Sequence, residues 1–160
     1  MPDRALLLSI RPEYAKKIFD GSKTVELRRV RPRVARGDLV LVYASAPVKA
    51  VLGAFEVARV RSGTPTSLWN IVVSKAGVTR RQFDAYFLGA KTGYAIFLKR
   101  KWLLEEPLGL DKLRKRQSNF RPPQSYHYLS ASQADRIGIR KLFQSDTPGQ
   151  PPRREKAAWN

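Results

Sequence analysis

Residues 9–29 read SIRPEYAKKIFDGSKTVELRR, and this stretch decides the fold class. Arg11-Pro12-Glu13 opens a helix: proline fits the first helical turn, and an acidic residue suits the positive end of the helix dipole. Tyr14, Ala15, Ile18 and Phe19 supply a helical apolar face, and Gly21 stands where a left-handed C-terminal cap belongs. Residues 23–30, KTVELRRV, then alternate and are rich in β-formers, which predicts a strand. Upstream, ALLLSI at 5–10 is an apolar run of strand length. A short helix therefore links two strands.

Working outward, an arginine-rich loop from Arg31 to Arg36 leads through Gly37-Asp38 into LVLVYA (39–44), a buried strand broken by Ser45-Ala46-Pro47. AVLGAFEVARV (50–60) is a further strand, in which Gly53 marks a bulge or a close approach. Helices are predicted from Ser67 to Lys75, ended by Gly77, and from Arg80 to Leu88, ended by Gly89. Thr79 and Gln82 stand at capping-box spacing for the second of them. GYAIFLKRKW (93–102) is a strand, and Leu110 to Arg116 is a short basic helix or turn. Arg121-Pro122-Pro123-Gln124 is extended loop, because Pro123 disfavours a helical Pro122. Ser130 and Gln133 open a last helix, predicted through Phe143. About five strands with short helices make a mixed α+β fold, which suits a small barrel better than a doubly wound sheet. Residues 1–144 are expected to form one domain, and the Pro-rich basic tail at 145–160 is expected to be disordered.

The chain has 160 residues, and its 31 Lys+Arg against 13 Asp+Glu give a net charge of +18. A globular chain this basic meets a polyanion, of which nucleic acid is the commonest. There is no cysteine and one histidine, His127, which excludes disulfides, thiolate chemistry and a multi-histidine metal site. No metal and no cofactor are expected. The N-terminus lacks a signal peptide pattern, and no apolar stretch approaches the ~20 residues that cross a bilayer, so a cytoplasmic protein without membrane contact is expected. Gly21-Ser22-Lys23-Thr24 and Gly89-Ala90-Lys91-Thr92 superficially resemble phosphate loops. Both follow helices and lead toward strands, the reverse of what a P-loop needs. His127 between two tyrosines, with no nucleophile elbow, reads as a packed or surface histidine.

The informative residues lie on the 23–30 strand. If Val25 and Leu27 face the core, Thr24, Glu26 and Arg28 share the opposite face, and Lys23 at the strand entrance can swing to join them. Lys23 and Arg28 would hold a phosphate while Glu26 accepts from the exocyclic amine of a base. The competing reading is that Glu26 merely pairs with Lys23 or Arg28 on a solvated strand face. Arg28, Arg29, Arg31, Arg33 and Arg36 place five arginines in nine residues with no acid among them, a phosphate-tracking composition. Ser45, ending a buried strand, and Arg11, at the helix start, are further candidates. A second basic cluster comprises Lys99, Arg100, Lys101, Lys112, Arg114, Lys115, Arg116 and Arg121, with Trp102, Phe120 and Tyr126 interleaved. Cations with aromatics suit single-stranded RNA, although most of these rings, and Trp69, are expected in the core.

The run Gly21, Lys23, Thr24, Glu26, Arg28 also resembles the mark of the ASCH (activating-signal-cointegrator homology) family, Gly-x-Lys-Thr-x-Glu-x-Arg after a short helix. Gly37-Asp38, the 43–47 segment, the strand around Gly53 and the Pro122–Tyr126 segment are similar to this family too, so the resemblance spans about residues 5–129. It implies a PUA-like pseudo-barrel of about five to six strands, with helices at its ends and a cleft that meets RNA or nucleotides. Relatives include acetylated-cytidine amidohydrolases and a ribonuclease. The amidohydrolase lysine falls on Lys23, but the threonine three residues later is replaced here by Glu26, which argues against that reaction. The reading is therefore an RNA-binding protein, monomeric, with Lys23, Thr24, Glu26 and Arg28 in the cleft. The alternative is a hydrolase of RNA or modified nucleosides using Lys23, Thr24 and Glu26. A DNA-binding regulator ranks third, since no helix-turn-helix is evident.

Overall fold

The apolar run at the start of the chain is continuous because its strand is buried on both faces: Leu6, Leu7 and Leu8 expose 1%, 0% and 0% of their surface. A computed structural model describes residues 4–139. In chain order the elements are β1 (Arg4–Ile10), α1 (Pro12–Asp20), β2 (Val25–Arg28), β3 (Leu39–Ala44), β4 (Ala50–Gly63), α2 (Pro65–Val72), α3 (Arg80–Phe87), β5 (Gly93–Gly109), α4 (Leu110–Arg116), β6 (Tyr126–Ser130) and α5 (Ala131–Arg136). One mixed sheet runs β2-β5-β4-β3-β1-β6, with β1 parallel to β3 and every other pair antiparallel.

Three apolar clusters follow from strand alternation. Leu7 and Leu41 pack with Leu113, Phe120, Leu129 and Ile137 on one face. Leu6, Leu8, Val40 and Val42 pack on the other with Ala15 and Ile18 of α1. The third joins Val25 and Leu27 of β2 to Leu68, Val72, Phe83 and Phe87 of α2 and α3. Full burial of such a side chain contributes roughly 1.5–3 kcal/mol. Gly53 is required by a close approach: a Cβ there would overlap the Trp102 carbonyl and lie 2.8 Å from the Phe19 ring. A register shift flanks it on each neighbouring strand.

The α+β class stands, with one correction to the expected barrel: the ladder is open, and β2 and β6 are its edges. The sheet nevertheless coils until its ends meet through side chains, since Arg28 on β2 reaches Ser9 on β1. Other differences have local causes. A sixth strand agrees with the five to six expected, but its place, β6, is not marked by the residues alone, because YHYLS carries little signal without β1 as its partner. β5 continues seven residues past Trp102 to Gly109 across Glu105-Glu106-Pro107, which reads locally as a loop but pairs back to Ala50 and Val51. α2 begins at Pro65, because Thr64 accepts from the Ser67 N–H as its N-cap. Both capping boxes, at Thr79 and Ser130, form. α5 ends at Arg136, and Gly138 just beyond it takes φ 76°. Residues 140–160, with the end predicted for that helix and the tail expected at 145–160, lie outside the described residues.

Candidate nucleic-acid interface

The loop from α1 to β2 is held by three successive carbonyls that follow α2. Lys75 O accepts the N–H groups of Thr24 (2.8 Å) and Val25 (3.2 Å). Ala76 O accepts Lys23 Nζ at 2.6 Å, and Gly77 O accepts Lys17 Nζ at 2.8 Å. The turn needs Gly77, whose φ is +66°; a Cβ there would sit 3.1 Å from Lys23 Cβ and 3.3 Å from Lys17 Cδ. Gly77→Ala is therefore expected to cost more than the roughly 1–2 kcal/mol of a left-handed backbone alone. Gly37 is the control, with φ +88° and nothing within 4 Å. In urea unfolding, Gly37→Ala should lose the backbone cost and Gly77→Ala clearly more; equal losses would remove the packing argument.

On this anchor Lys23, Glu26 and Arg28 come together. Lys23 Nζ lies 3.6 Å from Glu26 Oε2, and Arg28 Nη2 lies 3.4 Å from Glu26 Oε1. Their exposures are 3%, 7% and 8%, so this is a buried cluster and not the solvated strand face weighed from sequence. β2 has no water-facing side here, because α2 and α3 cover Val25 and Leu27 while the coiled end of the sheet covers the other face. Arg28 donates to the Ser9 carbonyl at 3.1 Å and to Ser125 Oγ at 3.4 Å. Ser9 in turn donates through Oγ to the Pro123 carbonyl and through its N–H to the Ser125 carbonyl. Glu26 Oε2 and Arg28 Nε have no hydrogen-bond partner. Burial lowers the Lys23 pKa, against the raising effect of Glu26.

Two tyrosines flank this cluster. Lys23 Nζ stands 5.5 Å from the centroid of the Tyr14 ring, and the Tyr86 hydroxyl donates to the Leu27 carbonyl at 3.2 Å. Both phenols are raised, chiefly by burial, with the Glu26 charge adding to the effect. Neither was a site candidate from sequence, since Tyr14 reads as part of a helical apolar face and Tyr86 is brought in by α3. Ser9 and the 75–77 carbonyls carried no local signal either.

The remaining candidates are spread outward. Thr24 is exposed and makes backbone bonds to Lys75 and Leu98, so it does not share the burial of the charged cluster. Arg29, Arg31, Arg33 and Arg36 are exposed, while Pro32 between them is buried. Their loop has a fixed backbone: Tyr126 donates to the Arg31 carbonyl at 3.4 Å, and the Arg33 N–H donates to the Tyr128 hydroxyl at 2.7 Å. Arg11 is exposed at the N-cap of α1. Ser45 starts a tight turn, its N–H donating to the Ile10 carbonyl and its own carbonyl accepting from Val48 and Lys49. Lys115 and Arg121 are exposed; Arg116 donates to the Ile137 carbonyl at 2.7 Å and so fastens the end of α5.

Comparison with known proteins agrees with this architecture. The ASCH domain family matches residues 8–114. An ASCH domain-containing ribonuclease of Zymomonas mobilis subsp. mobilis is 35% identical over 138 residues, covering 86% of this chain and 93% of the relative. The crystal structure of ASCH from Zymomonas mobilis superposes with a TM-score of 0.78 at 32% identity, covering 83% of this chain and 92% of that one. The large ribosomal subunit protein uL22 of Ureaplasma parvum serovar 3 is 27% identical over 127 residues, which are 78% of this chain but 39% of that protein. With the motif from Gly21 to Arg28, the six-stranded sheet and a family match over two thirds of its length, this chain belongs to the ASCH domain family.

Proposed function

We propose that this ASCH domain protein binds RNA, single-stranded or structured, as a cytoplasmic monomer. One observation carries the reading: the exposed arginines at 29–36 project from a backbone that two tyrosine hydroxyls hold beside Arg28. Pre-ordered cations spend less entropy on phosphate contact than a floppy loop does. Beneath them, the buried Lys23–Glu26–Arg28 cluster retains one acceptor, Glu26 Oε2, and one donor, Arg28 Nε. Both atoms are sealed from solvent, so a base edge would read them only once the surrounding side chains move aside, with Thr24 exposed nearby. Arg11, Lys115 and Arg121 extend the positive surface, Ser45 adds a neutral turn beside it, and Arg116 holds the end of α5.

A second reading, RNA cleavage, is favoured by similarity to the Zymomonas protein called a ribonuclease. Fluorescence anisotropy with labelled single-stranded RNA, duplex RNA and DNA tests the first reading. Saturable RNA binding that DNA competes poorly is expected, and no binding at low salt would overturn it. The same RNA, followed on denaturing gels in the presence of a chelator, tests the second. General acid–base chemistry contributes about a hundred- to ten-thousand-fold, so cleavage well above buffer that disappears in Lys23→Ala would make the protein a ribonuclease.

A further inference from the structure

β6 is an edge strand whose two faces do different work. Tyr126 and Tyr128 pair with Leu8 and Leu6 of β1, pack against that core face, and hold the arginine loop by their hydroxyls. His127 pairs with Leu7 and so belongs to the opposite face, the side of Phe120 and Leu129. There a shallow, open cavity of about 310 Å³ lies between β6, the turn after α4 and the start of α5, with Tyr128 and Leu129 also in its lining. That is the small end of the range for ligand pockets, roughly 300–1,000 Å³.

Its walls carry a particular chemistry. Gln117, Asn119 and Gln133 supply amides, His127 an imidazole and Arg121 a guanidinium, with no carboxylate among the described lining residues. The Gln133 carbonyl oxygen already accepts from the Ser130 N–H at 2.9 Å, which leaves its amide hydrogens to donate. His127 is half-buried, and that burial lowers its pKa, so at neutral pH it is uncharged and offers one donor and one acceptor. The Phe120 ring stands edge-on to it at 6.5 Å. The wall is pre-formed: the Phe120 N–H donates to the Gln117 carbonyl at 2.9 Å, and Arg114 Nε donates to the Phe120 carbonyl at 3.5 Å.

Mixed neutral donors and acceptors around an aromatic edge fit a planar heterocycle, and an exposed arginine at the rim fits its phosphate. We propose that the His127 cavity is a nucleotide subsite that takes one base of an RNA strand crossing the β6 edge, with the phosphates on one side of it meeting the arginine loop. The proposal rests on the RNA-binding reading and deepens it by naming where a base is read away from Glu26.

The sole histidine makes the test unambiguous, because its ring C–H resonances in the full chain can belong to no other residue. The protein is titrated with adenosine and uridine 5′-monophosphates, ribose 5-phosphate and a short single-stranded RNA, while anisotropy follows total RNA binding. Saturable movement of the His127 signals by mononucleotide and by RNA, but not by ribose 5-phosphate, is the expected result. His127→Ala should weaken RNA binding about five- to tenfold, the worth of one net hydrogen bond. Unmoved signals while anisotropy reports RNA binding would overturn the subsite and leave the arginine-loop reading intact. Equal movement by ribose 5-phosphate would also overturn it, reducing the cavity to a phosphate site. Movement by mononucleotides without any RNA binding would leave a nucleotide site at His127 but overturn the RNA reading, and the strand-crossing subsite with it.

Discussion

Glu26→Gln is expected to lower the unfolding free energy by about 3–5 kcal/mol, because it leaves two buried cations without their carboxylate. Lys23 and Arg28 both lie within 3.6 Å of that carboxylate, and none of the three is more than 8% exposed. Denaturant unfolding at neutral pH measures the loss, and a loss below about 1 kcal/mol would place the pair among solvated surface bridges. The variant should also change the pH dependence of stability. Lys23 has its folded pKa lowered below the ordinary lysine value of 10.5. Between those two values the unfolded chain binds the extra proton, so stability rises with pH through that alkaline window. Glu26 raises the Lys23 pKa, so removing its charge should open the window at lower pH and lengthen it. Unfolding free energy against pH would then climb earlier in Glu26→Gln than in the wild type. A parallel pair of curves would show that the two groups do not interact. RNA affinity, measured where the variant remains folded, should fall as well if Glu26 reads a base.

The triple change Arg29→Ala/Arg31→Ala/Arg33→Ala should act on binding and leave folding alone, since these side chains are exposed. Each phosphate contact to single-stranded nucleic acid contributes about 0.7 to the slope of log affinity against log salt. Three lost contacts would flatten that slope by about 2, and affinity at low salt would drop by more than an order of magnitude. Binding isotherms across a salt series give the slope, and circular dichroism checks the fold. An unchanged slope would assign the loop to solvent. A lower melting temperature would show instead that the loop matters for its packing on Tyr126 and Tyr128.

Much of this protein is local, and those parts were legible in its sequence. Pro12, Gly21 and the periodicity between them define α1, and the pairs Thr79–Gln82 and Ser130–Gln133 close their capping boxes within one helical turn. A continuous apolar run such as 39–44 signals a strand covered on both sides, and LVLVYA is buried throughout. The motif from Gly21 to Arg28 carried the family, and composition alone set the charge. Such features depend on backbone propensity and on neighbours three or four residues away.

What the tertiary structure decided depends on partners far along the chain. β6 exists because β1 offers it a ladder, and the end of β5 exists because Ala50 and Val51 do. Alternation on β2 correctly separates Val25 and Leu27 from Glu26 and Arg28, yet it cannot say that the charged side is also buried. That follows from the coiling of the sheet, which brings Arg28 to Ser9 and Ser125, 19 and 97 residues away. Lys23 joins the cluster because the Ala76 carbonyl, 53 residues on, receives its ammonium group. A buried charge is tolerated only where such distant groups compensate for its lost water, so no window of local sequence could reveal it.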